Sequence, residues 1–169
     1  MKLQSAQQRP TPSLPEPVRA DIDRWVAKYP ADQKQSAVMA ALRIVQEHNG
    51  GWLTEELISV VADYLQMPRI AVYEVATFYA MYEMEPVGRH KISVCNSISC
   101  MLGGSEGVLE CLQQKLGVGL GEVTADGKFS IKEVECLGAC VGAPMCMIGK
   151  RYYENLTPEE IDRILDELE

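Results

Sequence analysis

Hydrophobic residues recur every three or four positions through the first half of the chain, and polar or proline-containing stretches separate the runs. This period is typical of amphipathic helices. The helices it predicts cover residues 18–29, 36–48, 54–65 and 69–81. Pro86-Val87-Gly88 breaks the last run, since proline and glycine disfavour a continuing helix. The pattern therefore predicts a four-helix domain over residues 17–88, after a flexible, proline-rich tail of residues 1–16.

The period changes after Gly88, where short alternating segments replace the helical runs. Alternation of apolar and polar residues predicts β-strands. Strands are expected at residues 90–95, 128–134, 145–148 and 151–153, with helices at 105–116 and from Thr157 onward. The order β-α-β-β-α predicts an α/β domain over residues 89–169. The whole chain is thus predicted to be α+β, with a helical bundle followed by an α/β domain.

Composition narrows the classes of function. The chain has 169 residues and a formal net charge of −8, which would repel nucleic acids and anionic lipids. No apolar stretch approaches the length of a membrane span, and the N-terminus lacks the apolar core of a secretory signal. We therefore expect a cytoplasmic protein without nucleic-acid binding or membrane insertion. In a reducing cytosol, its six cysteines are expected to be metal ligands or buried residues.

Four of these cysteines form two pairs. Cys95 and Cys100 follow the first predicted strand as C-x4-C, and Cys136 and Cys140 follow the second as C-x3-C. If the two strands are parallel neighbours, both loops leave the same edge of the sheet. The four thiolates would then converge on one site.

The spacing favours a [2Fe–2S] cluster over the alternatives. Each iron of such a cluster takes its own thiolate pair, and small neighbouring residues let backbone N–H groups reach the sulfurs. Small or polar neighbours are present at Asn96, Ser97, Ser99, Gly138, Ala139 and Gly142. A structural zinc site, or cysteines in a disulfide or without a ligand, remain alternatives, because zinc accepts a broad range of spacings.

Three other features are interpreted as packing. Cys111 lies on the apolar face of a predicted helix and Cys146 alternates within a predicted strand, and neither has a partner at ligand spacing. The aromatic stretch 78–82 is interpreted as core in preference to a binding surface.

With the cysteines placed, the sequence resembles the small [2Fe–2S] (NuoE-type) subunit family of respiratory NADH:quinone oxidoreductase, or complex I. The resemblance covers nearly all of the chain after the tail. It rests on four segments taken together: Val75-Ala76-Thr77-Phe78-Tyr79, Pro86-Val87-Gly88-Arg89-His90, Cys95-x4-Cys100, and Val134-Glu135-Cys136-Leu137-Gly138-Ala139-Cys140 followed by Ala143-Pro144.

The resemblance implies a thioredoxin-like fold from about residue 89. It implies one [2Fe–2S] cluster held by Cys95, Cys100, Cys136 and Cys140. The implied function is one-electron exchange with FMN, which a partner (NuoF-type) subunit carries together with the NADH site. The resemblance also implies a neighbouring iron–sulfur subunit in the peripheral arm, and a position on the cytoplasmic side of the bacterial inner membrane. The chain would thus be a subunit of an oxidoreductase, with no catalysis by itself.

Two alternative functions remain at this point. The chain could serve as the equivalent diaphorase subunit of an NAD-reducing hydrogenase or a formate dehydrogenase, because related chains share the cysteine motif. From a different class, it could be a zinc-stabilised assembly module without redox activity.

Overall fold

A computed structural model describes residues 13–168. Its first part is helical, with a 3₁₀ turn at Lys34–Ala37 before the second helix. The helices are α1 (Glu16–Val26), α2 (Val38–His48), α3 (Glu55–Leu65) and α4 (Arg69–Phe78). Of the predicted tail, residues 1–12 lie outside the described residues, whereas Leu14 is buried in the helical core.

The ends of α3 follow from local chemistry. The Thr54 hydroxyl caps the start by accepting a hydrogen bond from the Leu57 N–H at 3.1 Å. Gln66 ends the helix in the left-handed conformation, with φ +58°. Helix α4 ends at Phe78, three residues before the predicted end at Met81.

The segment after α4 is fixed by a buried amide. Gln46 of α2 is 8% exposed; its Nε2 donates to the Met81 carbonyl at 3.1 Å and its Oε1 accepts from the Glu83 N–H at 2.8 Å. Tyr82 is buried as expected. Phe78, Tyr79 and Met81 are 80%, 38% and 51% exposed, so the interpretation of these three residues as core is wrong. The hydrophobicity of these residues could not show that the chain turns after α4 and exposes their side chains to solvent.

The second part of the chain contains the sheet. Its strands are β1 (His90–Cys95), β2 (Phe129–Val134), β3 (Cys146–Ile148) and β4 (Arg151–Tyr153), in the order β2-β1-β3-β4. Its helices are α5 (Ile98–Leu102), α6 (Ser105–Leu116) and α7 (Pro158–Glu167). The α+β class predicted from the sequence is confirmed.

The pairing within the sheet is mixed. Strand β1 runs parallel to β2, with His90 opposite Phe129 and Cys95 opposite Val134. It runs antiparallel to β3, and β3 and β4 form an antiparallel hairpin. Because β1 lies between two strands, its inward side chains, such as Ile92, are completely buried. Helices α6 and α7 supply the rest of this core.

The outer edge of β2 is partly covered by the loop that precedes it. Leu120 bridges to Ile131 and Val123 to Ser130. The Gly121 N–H donates to the Ile131 carbonyl and the Thr124 N–H to the Phe129 carbonyl, both at 2.9 Å. The first half of β2 is therefore paired on both sides.

Contacts divide the chain into two compact units, with the division between Glu85 and Pro86. Each unit has its own hydrophobic core. Within residues 13–168, no helix has both the length and the apolar character needed to cross a membrane.

Candidate metal centre

The two cysteine loops leave the sheet at one edge. Cys95 is the last residue of β1 and pairs with Val134, the last residue of parallel β2, so that Cys136 follows two residues later. The Asn96 N–H donates to the Val134 carbonyl at 2.9 Å, which continues the pairing into the loops. The two strands are thus parallel neighbours, which is the condition under which the sequence predicted that both cysteine loops leave one edge of the sheet.

The first loop turns back on itself. After Cys95 the chain forms the short helix α5, which the sequence did not predict, and this helix carries Cys100. Cys95 and Cys100 are 3% and 1% exposed and pack with Met145 in a small cluster of their own. One turn of helix thus gives the first thiol pair a buried position.

The second loop is more open. Cys136 and Cys140 are both exposed, and Cys140 begins a 3₁₀ turn that ends at Gly142. Gly138 lies between them with φ +76°, a conformation that residues with a side chain rarely adopt. The candidate site therefore has one buried thiol pair and one pair at the surface.

The electrostatics of Cys100 reflect these neighbours. Burial raises the pKa of the Cys100 thiol, and a hydrogen bond with the Cys95 side chain raises it further. The charge of Cys140 acts in the same direction, whereas a hydrogen bond with the Met145 backbone lowers this pKa. Negative charges at three of these sulfurs therefore oppose one another unless a cation lies among them.

The structure brings some predicted ligands together and not others. Cys95 and Cys100 are in direct side-chain contact, and Cys140 is close enough to influence Cys100. Among the described residues, no three histidine, cysteine, aspartate or glutamate side chains are placed to hold one metal ion. The convergence of all four thiols stays a prediction.

Three contacts made by the second cysteine loop could not be predicted from the sequence. The Ser97 hydroxyl donates to the Glu135 carbonyl, and the Tyr152 hydroxyl donates to the Leu137 carbonyl at 2.6 Å. Gly103 lies against the cis peptide bond between Ala143 and Pro144, where an added Cβ would be 3.1 Å from the Pro144 nitrogen. No sequence pattern signals such contacts, because each joins residues that are distant along the chain.

The residues present fit a [2Fe–2S] cluster. Four thiols lie in two loops at one sheet edge, and the apolar residues Leu137, Ala139 and Ala143 pack beside them. Along residues 136–139 of the described chain, no backbone N–H donates to another backbone group. Free N–H groups of this kind are suited to the sulfurs of an iron–sulfur cluster, which need hydrogen-bond donors.

The other two cysteines behave as packing residues. Cys146 is buried in the core of the second unit, and burial raises the pKa of its thiol to about 12. Cys111 is half-buried against the same core. Their interpretation as core residues is confirmed.

Comparison with known proteins agrees with the geometry. The model of the family described as "thioredoxin-like [2Fe-2S] ferredoxin" matches residues 22–169. The E subunit of NADH-quinone oxidoreductase from Rickettsia bellii (strain RML369-C) is 48% identical over 143 residues, which is 85% of this chain and 86% of that protein. The corresponding protein of Rickettsia felis (strain ATCC VR-1525 / URRWXCal2) is 45% identical over 142 residues, 84% of this chain and 85% of its own length.

A solved structure shares the fold. An NAD⁺-reducing [NiFe]-hydrogenase in the air-oxidized state superposes with a TM-score of 0.66 over 80% of this chain, at 19% sequence identity. The match spans about a quarter, 24%, of the hydrogenase chain. The resemblance noted in the sequence is confirmed by the relatives from Rickettsia, and the chain belongs to the thioredoxin-like [2Fe–2S] ferredoxin family.

Proposed function

We propose that the chain is the electron-transfer subunit of the NADH-oxidising module of an NADH-quinone oxidoreductase. The observation that carries this proposal is the placement of two cysteine pairs at one sheet edge in a member of a [2Fe–2S] family. The relatives at 45% to 48% identity are named as subunits of that enzyme. The chain is accordingly part of an oxidoreductase complex.

We propose Cys95, Cys100, Cys136 and Cys140 as the ligands, with each loop providing one pair. When bound, a [2Fe–2S] cluster accepts and releases one electron at a time. Thiolate is the form that binds iron, so the ligands must lose their protons on metal binding. Burial raises the pKa of Cys100 and opposes this loss, and the hydrogen bond with the Met145 backbone offsets part of that effect.

The chain's own residues provide position and electrostatics. The apolar contacts around Cys95 and Cys100 exclude water from the buried pair. The N–H groups of residues 136–139 offer positive dipoles beside the exposed pair, which stabilises added negative charge. The protein thus adapts the site to take up an electron without itself undergoing a chemical step.

We propose that the surface around the cysteine loops docks on a partner subunit that carries FMN and binds NADH. Four apolar side chains of these loops are exposed: Ile98, Met101, Leu102 and Val141. Exposed apolar residues grouped around a site are typical of protein interfaces. A neighbouring iron–sulfur subunit would complete the surroundings of the chain in the complex.

We further propose that residues 17–88 and 89–169 act as separate domains. We also propose that the complex holds the chain on the cytoplasmic side of the membrane.

The first test is chemical analysis of the purified chain. We expect two iron atoms and two acid-labile sulfides per chain, together with an S = ½ EPR signal after reduction with dithionite. One zinc per chain and no EPR signal would instead support the zinc-stabilised module.

The docking surface has a separate test. Val141→Asp should weaken co-purification with the flavin-containing subunit, because a buried carboxylate without a partner is costly. Leu120→Asp is the matched control, since Leu120 is an exposed apolar residue of the same unit outside the cysteine loops. Equal recovery of the complex with both variants would contradict the proposed surface.

A further inference from the structure

The two peptide carbonyls on either side of Cys136 are each engaged by a side-chain hydroxyl from elsewhere in the second unit. The Glu135 carbonyl accepts from Ser97, which lies in the first cysteine loop. The Leu137 carbonyl accepts from Tyr152, which lies on β4, with an O···O distance of 2.6 Å. The two hydroxyls therefore hold the backbone just before and just after the exposed residue Cys136.

We infer that Ser97 and Tyr152 are positioning residues for the cluster: their hydroxyls hold the Glu135–Cys136 and Leu137–Gly138 peptide groups, retain the cluster and adjust its reduction potential. This inference rests on the proposed ligand set. Cys136 is exposed and lies outside any helix or strand. Its loop therefore depends on such side-chain contacts for a fixed conformation.

The contact of Ser97 has an additional electrostatic effect. The Glu135 carbonyl also accepts from the Cys95 thiol, with an S···O distance of 3.4 Å. The Ser97 hydroxyl donates to the same oxygen and offsets part of its negative dipole beside that sulfur.

The contact of Tyr152 acts on backbone orientation. Because the peptide group is planar and trans, a carbonyl directed at Tyr152 places the Gly138 N–H on the opposite side of the same peptide. Loss of the hydroxyl would free this peptide to rotate about Gly138, whose positive φ shows that glycine already permits an unusual conformation here. Solvent would then displace the Cys136 sulfur from the cluster more easily.

The test uses the full chain with its cluster. Ser97→Ala and Tyr152→Phe should each release iron to a chelator about fivefold faster than the wild type, the factor expected for one net neutral hydrogen bond. Ser97→Ala should also shift the reduction potential to more negative values, because reduction adds charge beside an uncompensated carbonyl. Ser97→Thr keeps the hydroxyl and should restore both properties.

Two variants serve as controls. Ser99 lies in the same loop and Tyr153 follows Tyr152 on β4. Among the described residues, the side-chain hydrogen bonds to residues 135–137 come from Cys95, Ser97 and Tyr152, and not from the hydroxyls of Ser99 or Tyr153. Ser99→Ala and Tyr153→Phe should leave iron release and potential as in the wild type. Wild-type values in Ser97→Ala and Tyr152→Phe would overturn the inference, as would effects of equal size in the controls.

A metal-free measurement separates this inference from the proposed function. In the apo chain, both variants should increase hydrogen exchange of the Gly142 and Ala143 amides, which donate to the Ala139 and Cys140 carbonyls of the same loop. This expectation holds without iron, because the hydroxyl contacts do not depend on it. If the wild-type chain binds no iron, the proposed function fails while exchange still tests the role of Ser97 and Tyr152. Unchanged exchange in both variants overturns that role.

Discussion

Cys95 at the end of β1 lies directly opposite Val134 at the end of parallel β2. This pairing brings the segment before Cys136 next to the first thiol pair, and the Asn96 N–H fixes it by donating to the Val134 carbonyl at 2.9 Å. Since side chains alternate along a strand, a slip of the register by one residue would turn Cys95 to the other face of the sheet. The geometry of the site therefore depends on the register of two strands.

The ligand set makes a direct prediction about iron content. Serine substitution at Cys95, Cys100, Cys136 or Cys140 should reduce bound iron and acid-labile sulfide, because an alkoxide is a poorer ligand for iron than a thiolate. Cys111→Ser is the matched control and should keep both, as Cys111 packs against the main core of the second unit. Metal analysis of the purified variants provides the measurement. Full iron content in any of the four would remove that cysteine from the set.

The approach of Gly103 to the second loop predicts a steric effect. A Cβ on Gly103 would lie 3.1 to 3.3 Å from backbone atoms of Ala143, Pro144 and Ser99. Gly103→Ala should push the two loops apart by a few tenths of an ångström and accelerate cluster loss, measured as decay of visible absorbance under a chelator. Gly107→Ala is the control, because a Cβ there meets no atom within 4 Å. Similar decay in both variants would argue against a close fit at Gly103.

Cys146 predicts a dependence of stability on pH. Burial raises the pKa of its thiol from 9.0 to about 12, so the folded chain keeps a proton that the unfolded chain releases above pH 9. Unfolding therefore becomes easier as pH rises from about 9 to 12, by up to about 1.4 kcal/mol per pH unit from this group. Denaturant titrations of the wild type and Cys146→Ala at several pH values measure the difference, since other groups contribute equally to both chains. A constant difference across this range would contradict the raised pKa.

The same burial predicts low chemical reactivity. The thiolate is the reactive form of cysteine, so Cys146 should resist iodoacetamide at neutral pH while the chain is folded and react once it is unfolded. Mass spectrometry of the alkylated peptides gives the extent at each cysteine. Exposed Cys136 and Cys140 of the metal-free chain provide the internal comparison, and reaction of Cys146 at their rate would show that it is accessible.

The buried amide of Gln46 predicts a stability effect in the helical unit. Gln46→Ala would leave the Met81 carbonyl and the Glu83 N–H without their present side-chain partner. A buried polar group that loses its partner costs about 1 to 3 kcal/mol, so the free energy of unfolding should fall by an amount in this range. The control is Gln114→Ala, an exposed position on α6. Chemical denaturation that gives the same free energy for Gln46→Ala and the wild type would rule out a stabilising contact.

Regular elements with a clear period could be predicted from the sequence. Strand β1 and helix α6 have the predicted bounds, because apolar alternation and helical spacing continue to their ends. The parallel pairing of β1 and β2 was only a condition for bringing the two cysteine pairs together, and the structure meets it. The short helix α5 was missed because five residues between two loop segments are too few to show a period.

The details of the site were less accessible to sequence reasoning. The four cysteines stood out by their spacing, but the burial of one pair and exposure of the other depends on α5 and on packing against Met145. The hydroxyl contacts of Ser97 and Tyr152 depend on tertiary structure alone. Similarly, Phe78 is hydrophobic in sequence yet exposed, because the turn after α4 directs it outward.

The loop paired with the outer edge of β2 has a consequence for association between molecules. An open strand edge is a template on which another chain can add a strand and begin aggregation. In this chain, residues 120–124 occupy that template along the first half of β2. Beyond the covered half, charged Lys132 and Glu133 disfavour strand addition. The edge of β2 is thus protected from strand addition, whereas Cys136 and Cys140 at the end of the sheet are exposed.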